Sequence, residues 1–147
     1  MKSRLRFAAL PAGVESLELK RVLSFLVEWR AADPDGSAPP ELPSWLVDSF
    51  SEPLSAEDKM LWLARWRAAG PEEKEALERQ KGWELESWIH WFSTDNDMWA
   101  VESVEESDQG GVDITLSHDD DPFPFEALHW MADVAGFTLE GPVRSVV

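Results

Sequence analysis

The stretch "MWAVESVEESDQGGVDITLS", residues 98–117, constrains the fold more than any other part of the chain. Trp99 and Val101 alternate with polar neighbours, Val104 resumes after a polar pair, and Val112, Ile114 and Leu116 alternate with Asp113 and Thr115. Strand side chains point to opposite faces with period two, so each arm has one apolar and one wet face. "DQGG" supplies a turn with two glycines, and the two arms are predicted to pair as an antiparallel hairpin. An isolated hairpin is barely stable in water, so other elements must cover its apolar face.

The flanking sequence offers helices for that purpose. In "VESLELKRVLSFLVEWRAA", Leu19, Val22, Leu23, Leu26 and Trp29 recur near one face, which predicts an amphipathic helix over 14–32. Ahead of it, "RLRF" alternates Arg4 and Arg6 with Leu5 and Phe7, the pattern of a short edge strand or an extended arm. Residues 33–44 hold four prolines and a glycine and read as a loop or tether, and "SWLVDSF" suits only a short helix. Ser55 is the expected N-cap of the next helix, with Asp58 three residues on. Gly70 ends that helix and Pro71 opens another, where its missing N–H costs nothing. "WELESWIHWF" carries Leu85, Trp88, Ile89 and Phe92 at helical spacing, yet its aromatic content leans the reading slightly toward a strand. "FEALHWMADVAG" predicts a final helix with Ala127, Leu128, Met131, Val134 and Ala135 inward and Gly136 at its end.

These elements predict an α+β fold: N-terminal helices, a small antiparallel β-meander of two or three strands, and a C-terminal helix packed on the sheet. The length of 147 residues fits one domain over 1–147, with no internal repeat. Nine tryptophans invite a recognition surface, but indoles more often fill a core, and that is the expectation for Trp62, Trp66, Trp83, Trp88 and Trp91.

Charge is unevenly spread. The formal net charge is −16, and residues 83–147 hold fifteen acids against one base, Arg144. Residues 1–32 carry six bases and three acids. Such a field repels nucleic acid and anionic membranes and attracts a basic protein. Zero cysteines exclude disulfides, thiolate nucleophiles and Cys-ligated zinc. With no apolar run of about 18 residues and no signal-peptide pattern, the expectation is a cytoplasmic protein.

Three places invite chemistry. "SHDDDPFPFEALHW" sets His118, Asp119, Asp120, Asp121 and His129 close in sequence, which raises a divalent-cation or acid/base site. Adjacent residues rarely converge on one ion, and acids before a helix are what its positive N-terminal end favours, so helix entry is the plainer reading. Asp95, Asp97 and Glu106 match three positions of a calcium-binding EF-hand loop, but Trp99 and Ala100 stand where a ligand and the turn glycine are required. "TDND" is then a polar turn bonding its own backbone. His90 is a third possible general base, without a nucleophile or phosphate-cradling loop beside it in sequence, and the pairs Glu84 with Glu86 and Glu105 with Glu106 are expected by chance in so acidic a segment.

The expected function is accordingly a non-catalytic binding or inhibitory module, whose acidic residues Glu102, Glu105, Glu106, Asp108 and Asp113 dock a basic protein partner, with no cofactor. The alternatives are an acid/base or cation-dependent enzyme using His118 to Asp121, with His90 and His129 as further candidates, and a protein that pairs with itself through tryptophans.

Overall fold

The computed structural model describes residues 1–32, 41–52, 54–107 and 109–146, apart from the side chains of Arg79 and Lys81. The chain opens with a strand, β1 (Lys2–Ala9), followed by helices α1 (Ser16–Ala32), α2 (Ser44–Val47), α3 (Ala56–Ala68), α4 (Pro71–Lys81) and α5 (Leu85–His90). Strands β2 (Trp99–Glu106) and β3 (Val112–His118), helix α6 (Glu126–Val134) and two short strands, β4 (Phe137–Leu139) and β5 (Arg144–Val146), complete it. The class is α+β, as the pattern predicted. The predicted 33–44 tether falls largely on residues 33–40, outside the described residues.

The sheet departs from the predicted two- or three-stranded meander. It has five antiparallel strands in the order β2-β3-β1-β4, with β5 pairing a different part of β1. β1 is therefore an interior strand rather than an edge or arm: one side pairs β3 from Lys2↔Ser117 to Phe7↔Val112, and the other pairs β4 and β5. Its alternation sets which face turns to the core, with Ser3, Leu5 and Phe7 inward and Lys2, Arg4 and Arg6 exposed. Completely burying Leu5 and Phe7 yields about 1.5–3 kcal/mol each.

Helix α1 lies against β2 and β3, and α6 reaches β4. Their buried faces, Leu19, Val22, Leu23 and Leu26 on α1 and Ala127, Leu128, Met131 and Ala132 on α6, join Leu5, Phe7, Val112, Ile114 and Leu116 in one core. The chain is drawn tight where Gly13 meets Gly136. A Cβ on Gly136 would stand 2.3 Å from the Cα of Gly13, and Gly136 itself takes φ +86°, a conformation side chains resist.

The segment 83–92 holds helix α5 and not the slightly favoured strand. Trp88 decides it: fully buried, its indole donates to the Ala127 carbonyl at 3.0 Å, and its ring meets Phe50, Phe92 and Trp130. With Trp91 stacked on Trp99, four tryptophans form one aromatic cluster. Trp62 and Trp66 lie elsewhere. They stack on each other within the α3–α4 hairpin, where Lys74 sits 4.3 Å over the Trp66 ring. Ser55 caps α3 by accepting from the Asp58 N–H at 3.1 Å, as the sequence predicts, and Gly82 closes the hairpin where the Ser51 N–H donates to the Trp83 carbonyl.

Candidate functional site

Two acidic segments that are far apart in sequence meet at one end of the sheet. Trp99, which begins β2, pairs with His118, which ends β3. The turn before β2 carries Asp95 and Asp97, and the loop after β3 carries Asp119, Asp120 and Asp121; all five are exposed. No ion pair involves any of the five among the described residues.

The frame under these acids is built of hydrogen bonds to backbone groups, from the neutral Asn96 amide and from the charged Arg30 and Met1 ammonium. Asn96, 2% exposed, donates through its amide to the carbonyls of Trp91 at 2.7 Å and Trp99 at 3.0 Å and accepts from the Met98 N–H at 3.0 Å. Arg30 of α1 donates to the Ser93 and Asn96 carbonyls. The turn does bond its own backbone, as expected, but its buried member is the asparagine, and this leaves the flanking aspartates pointing to water.

His118 faces the interior. Its Nε2 lies 2.7 Å from the Ser3 hydroxyl and its Nδ1 lies 2.7 Å from the Asp120 carbonyl, while the ring stacks on Phe123 at 4.0 Å. A carbonyl only accepts, so Nδ1 carries the proton and Nε2 accepts from Ser3. A serine, a histidine and an orienting acceptor in a row resemble a nucleophile relay. Ser3 and His118 are only 4% and 5% exposed, however, and the third member is a backbone carbonyl rather than a carboxylate. The arrangement fastens the start of β1 to the end of β3. Both ring nitrogens are engaged in these hydrogen bonds, and among the described residues no three His, Asp or Glu side chains converge as metal ligands.

The other histidines stand apart from it. His90 is exposed with its ring edge-on to Trp91, and His129 lies between Phe7 and Phe125 with its Nε2 3.8 Å from Asp133. The carboxylates Glu84 and Glu86 flank the start of α5.

The acids assigned to a docking face are divided between roles. Lys2 pairs with Glu102 at 2.9 Å, and Arg6 pairs with Asp113 at 2.9 Å. Asp113 holds the Arg6 guanidinium above its ordinary value, first through the hydrogen bond and then through charge. Glu106 accepts from Ser16, and Glu105 lies directly across from Asp113. Asp108 lies outside the described residues. The outward face of the sheet is thus a mixed ladder of both signs. Sequence reading missed this because the bases of β1 lie about a hundred residues from the acids they meet.

Helix α3 contributes a different surface. None of its residues is buried, and Met60 and Leu61 are 72% and 64% exposed. Angular spacing puts Glu57, Met60, Leu61, Ala64, Arg67 and Ala68 on one stripe, opposite Trp62, Leu63 and Trp66. Among the described residues no helix is long and apolar enough to cross a membrane. Comparison with protein-family models finds no match, and neither the curated proteins nor the solved structures give a significant one.

Proposed function

We propose that the protein is a non-catalytic binding module that docks a basic protein partner through the acidic end of its sheet. The supporting observation is the pairing of Trp99 with His118, which gathers Asp95, Asp97, Asp119, Asp120 and Asp121 from two loops; none of the five is in an ion pair among the described residues, and the nearby cations, Arg30 and the Met1 ammonium, donate to backbone carbonyls. The rigid frame beneath supports the same reading. Asn96 and His118 fix the two loops, so little ordering entropy remains to be lost on binding. Glu102 and Asp113 act here as partners of β1 and contribute less to docking than the sequence implied. Charges facing a partner of opposite sign raise the association rate more than the affinity.

The test is capture from native lysate at low and high salt by the wild-type protein and by an Asp97→Asn, Asp119→Asn, Asp120→Asn variant. A basic protein retained by the wild type at low salt and lost by the variant is the expected result. Equal retention by both, or none by the wild type, contradicts the proposal.

A second reading, self-pairing, is favoured by the exposed stripe of α3. Set antiparallel across a two-fold axis, Glu57 of one copy meets Arg67 of the other, Met60 meets the small Ala64, and Leu61 lies beside the axis. Sedimentation at increasing concentration tests it, with Leu61→Glu abolishing any dimer; a dimer that survives the substitution, or a monomer at all concentrations, rules the stripe out.

A further inference from the structure

The outward face of β1 carries three bases, and two of them are matched. Lys2 meets Glu102 and Arg6 meets Asp113. Arg4, between them, has Thr115 across from it on β3 and Arg144 across from it on β5. Neither Arg4 nor Arg144 has an acidic partner among the described residues. Like charges directly opposite on neighbouring strands destabilise a sheet. In a chain with twenty-nine acids, the juxtaposition of two unpaired arginines is the reverse of what surface composition alone would give.

The backbone opens a cavity at the same place. After β4 the chain leaves the sheet edge, with the Glu140 N–H donating to the Arg6 carbonyl at 2.7 Å, and Gly141 at φ +71° turns it back into β5. The excursion leaves a cavity of about 150 Å³ lined by Arg4, Arg6, Glu140, Gly141, Pro142 and Arg144. Guanidinium groups present a planar fork of donors that fits the oxygens of a phosphate or carboxylate. Glu140 on the wall acts on Arg6, which Asp113 already pairs, so the guanidiniums left facing each other are Arg4 and Arg144, and the oxygens of a phosphate dianion accept from both forks at once, more fully than the two of a carboxylate.

We propose that Arg4 and Arg144 form a binding site for the phosphate group of a small phosphorylated molecule, seated in the cavity between β4 and β5. Arg6, held by Asp113, contributes its remaining donors at the rim. The site is on the outward face of the sheet and does not depend on the docking proposal.

Inorganic phosphate is the direct probe. Amide chemical shifts are followed while phosphate replaces chloride at constant ionic strength, with acetate as a parallel titrant. The expected result is saturable shifts at Arg4, Gly141 and Arg144 with a dissociation constant of a few millimolar (a binding free energy of only about −3 to −4 kcal/mol), at least about tenfold weaker binding of acetate, and a similar tenfold loss in Arg4→Gln and in Arg144→Gln. Lys2→Gln, which alters a base already paired with Glu102, leaves phosphate binding unchanged. Both arginines are exposed, so the glutamine variants retain the fold, and their melting temperatures equal or exceed that of the wild type because a like-charge pair is removed. Shifts that fail to saturate, acetate binding as tight as phosphate, or affinity unaltered in both arginine variants would overturn the site.

Discussion

Replacing Asn96 with alanine tests how the acidic end of the sheet is held. The side chain is 2% exposed and makes three hydrogen bonds, donating to Trp91 and Trp99 and accepting from Met98. Alanine leaves two carbonyls and one N–H without that partner. An abandoned buried polar group costs about 1–3 kcal/mol, and partial access of water to Met98, which is exposed, relieves part of the sum. The expected loss is about 2–4 kcal/mol, a large share of a typical stability of about 5–15 kcal/mol. Asn96→Asp separates hydrogen bonding from packing. At neutral pH a carboxylate would face the two carbonyls it cannot donate to, so its cost equals or exceeds that of alanine. Burial and those carbonyls raise the folded-state pKa of the introduced acid above its unfolded value, so the penalty is present above the folded pKa and fades as pH falls through it. Urea unfolding followed by tryptophan fluorescence at neutral and mildly acidic pH, each variant against wild type, is the assay. A loss below about 0.5 kcal/mol for Asn96→Ala, or an Asn96→Asp penalty independent of pH, would refute the reasoning.

Other perturbations address separate parts of the structure. Ser3→Ala strips the hydroxyl from the buried His118 Nε2 and is expected to cost about 1–2 kcal/mol in denaturant unfolding; no measurable loss would mean the pair is not formed. Gly13→Ala places a Cβ 2.7 Å from the Ala135 carbonyl, with an expected loss of about 2–4 kcal/mol, read as a fall in melting temperature. Ser55→Ala removes the α3 cap and is expected to speed amide exchange in residues 56–60 while leaving core amides unchanged, a local effect of about 1 kcal/mol; uniform acceleration would tie the hairpin to the core. Raising sodium chloride from about 20 to 500 mM is expected to raise the melting temperature, because screening relieves repulsion among the exposed acids more than it weakens the Lys2–Glu102 and Arg6–Asp113 pairs; a flat or falling response contradicts that balance.

Local grammar made much of this architecture legible. The β2–β3 hairpin announces itself by alternation and paired glycines, the α3 cap by Ser55, and the corner before α4 by Gly70 and Pro71, each within a few residues of its cause. What sequence reading missed depends on partners far along the chain. β1 becomes interior only because β4 and β5 return to it from beyond residue 136, and three-residue strands carry too short a pattern to read. α5 was ambiguous because aromatic residues suit both a strand and a buried helix; the Ala127 carbonyl that accepts from Trp88 lies thirty-nine residues away. The candidate site was half visible. The aspartates after β3 are plain in sequence, but their meeting with Asp95 and Asp97, the inward turn of His118 toward Ser3, and the Arg4–Arg144 pair all arise from strand register.

Amide chemical shifts during titration with octalysine at low salt measure most directly whether the acidic end of the sheet is the molecule's focus for basic partners. Shifts concentrated at Asp95, Asp97 and Asp119 to Asp121, weak at Glu102 and Asp113 where Lys2 and Arg6 already pair, and abolished by Asp97→Asn with Asp119→Asn and Asp120→Asn, are the predicted result. Shifts spread evenly over all acids, or strongest on the outward face of β2 and β3, would contradict it.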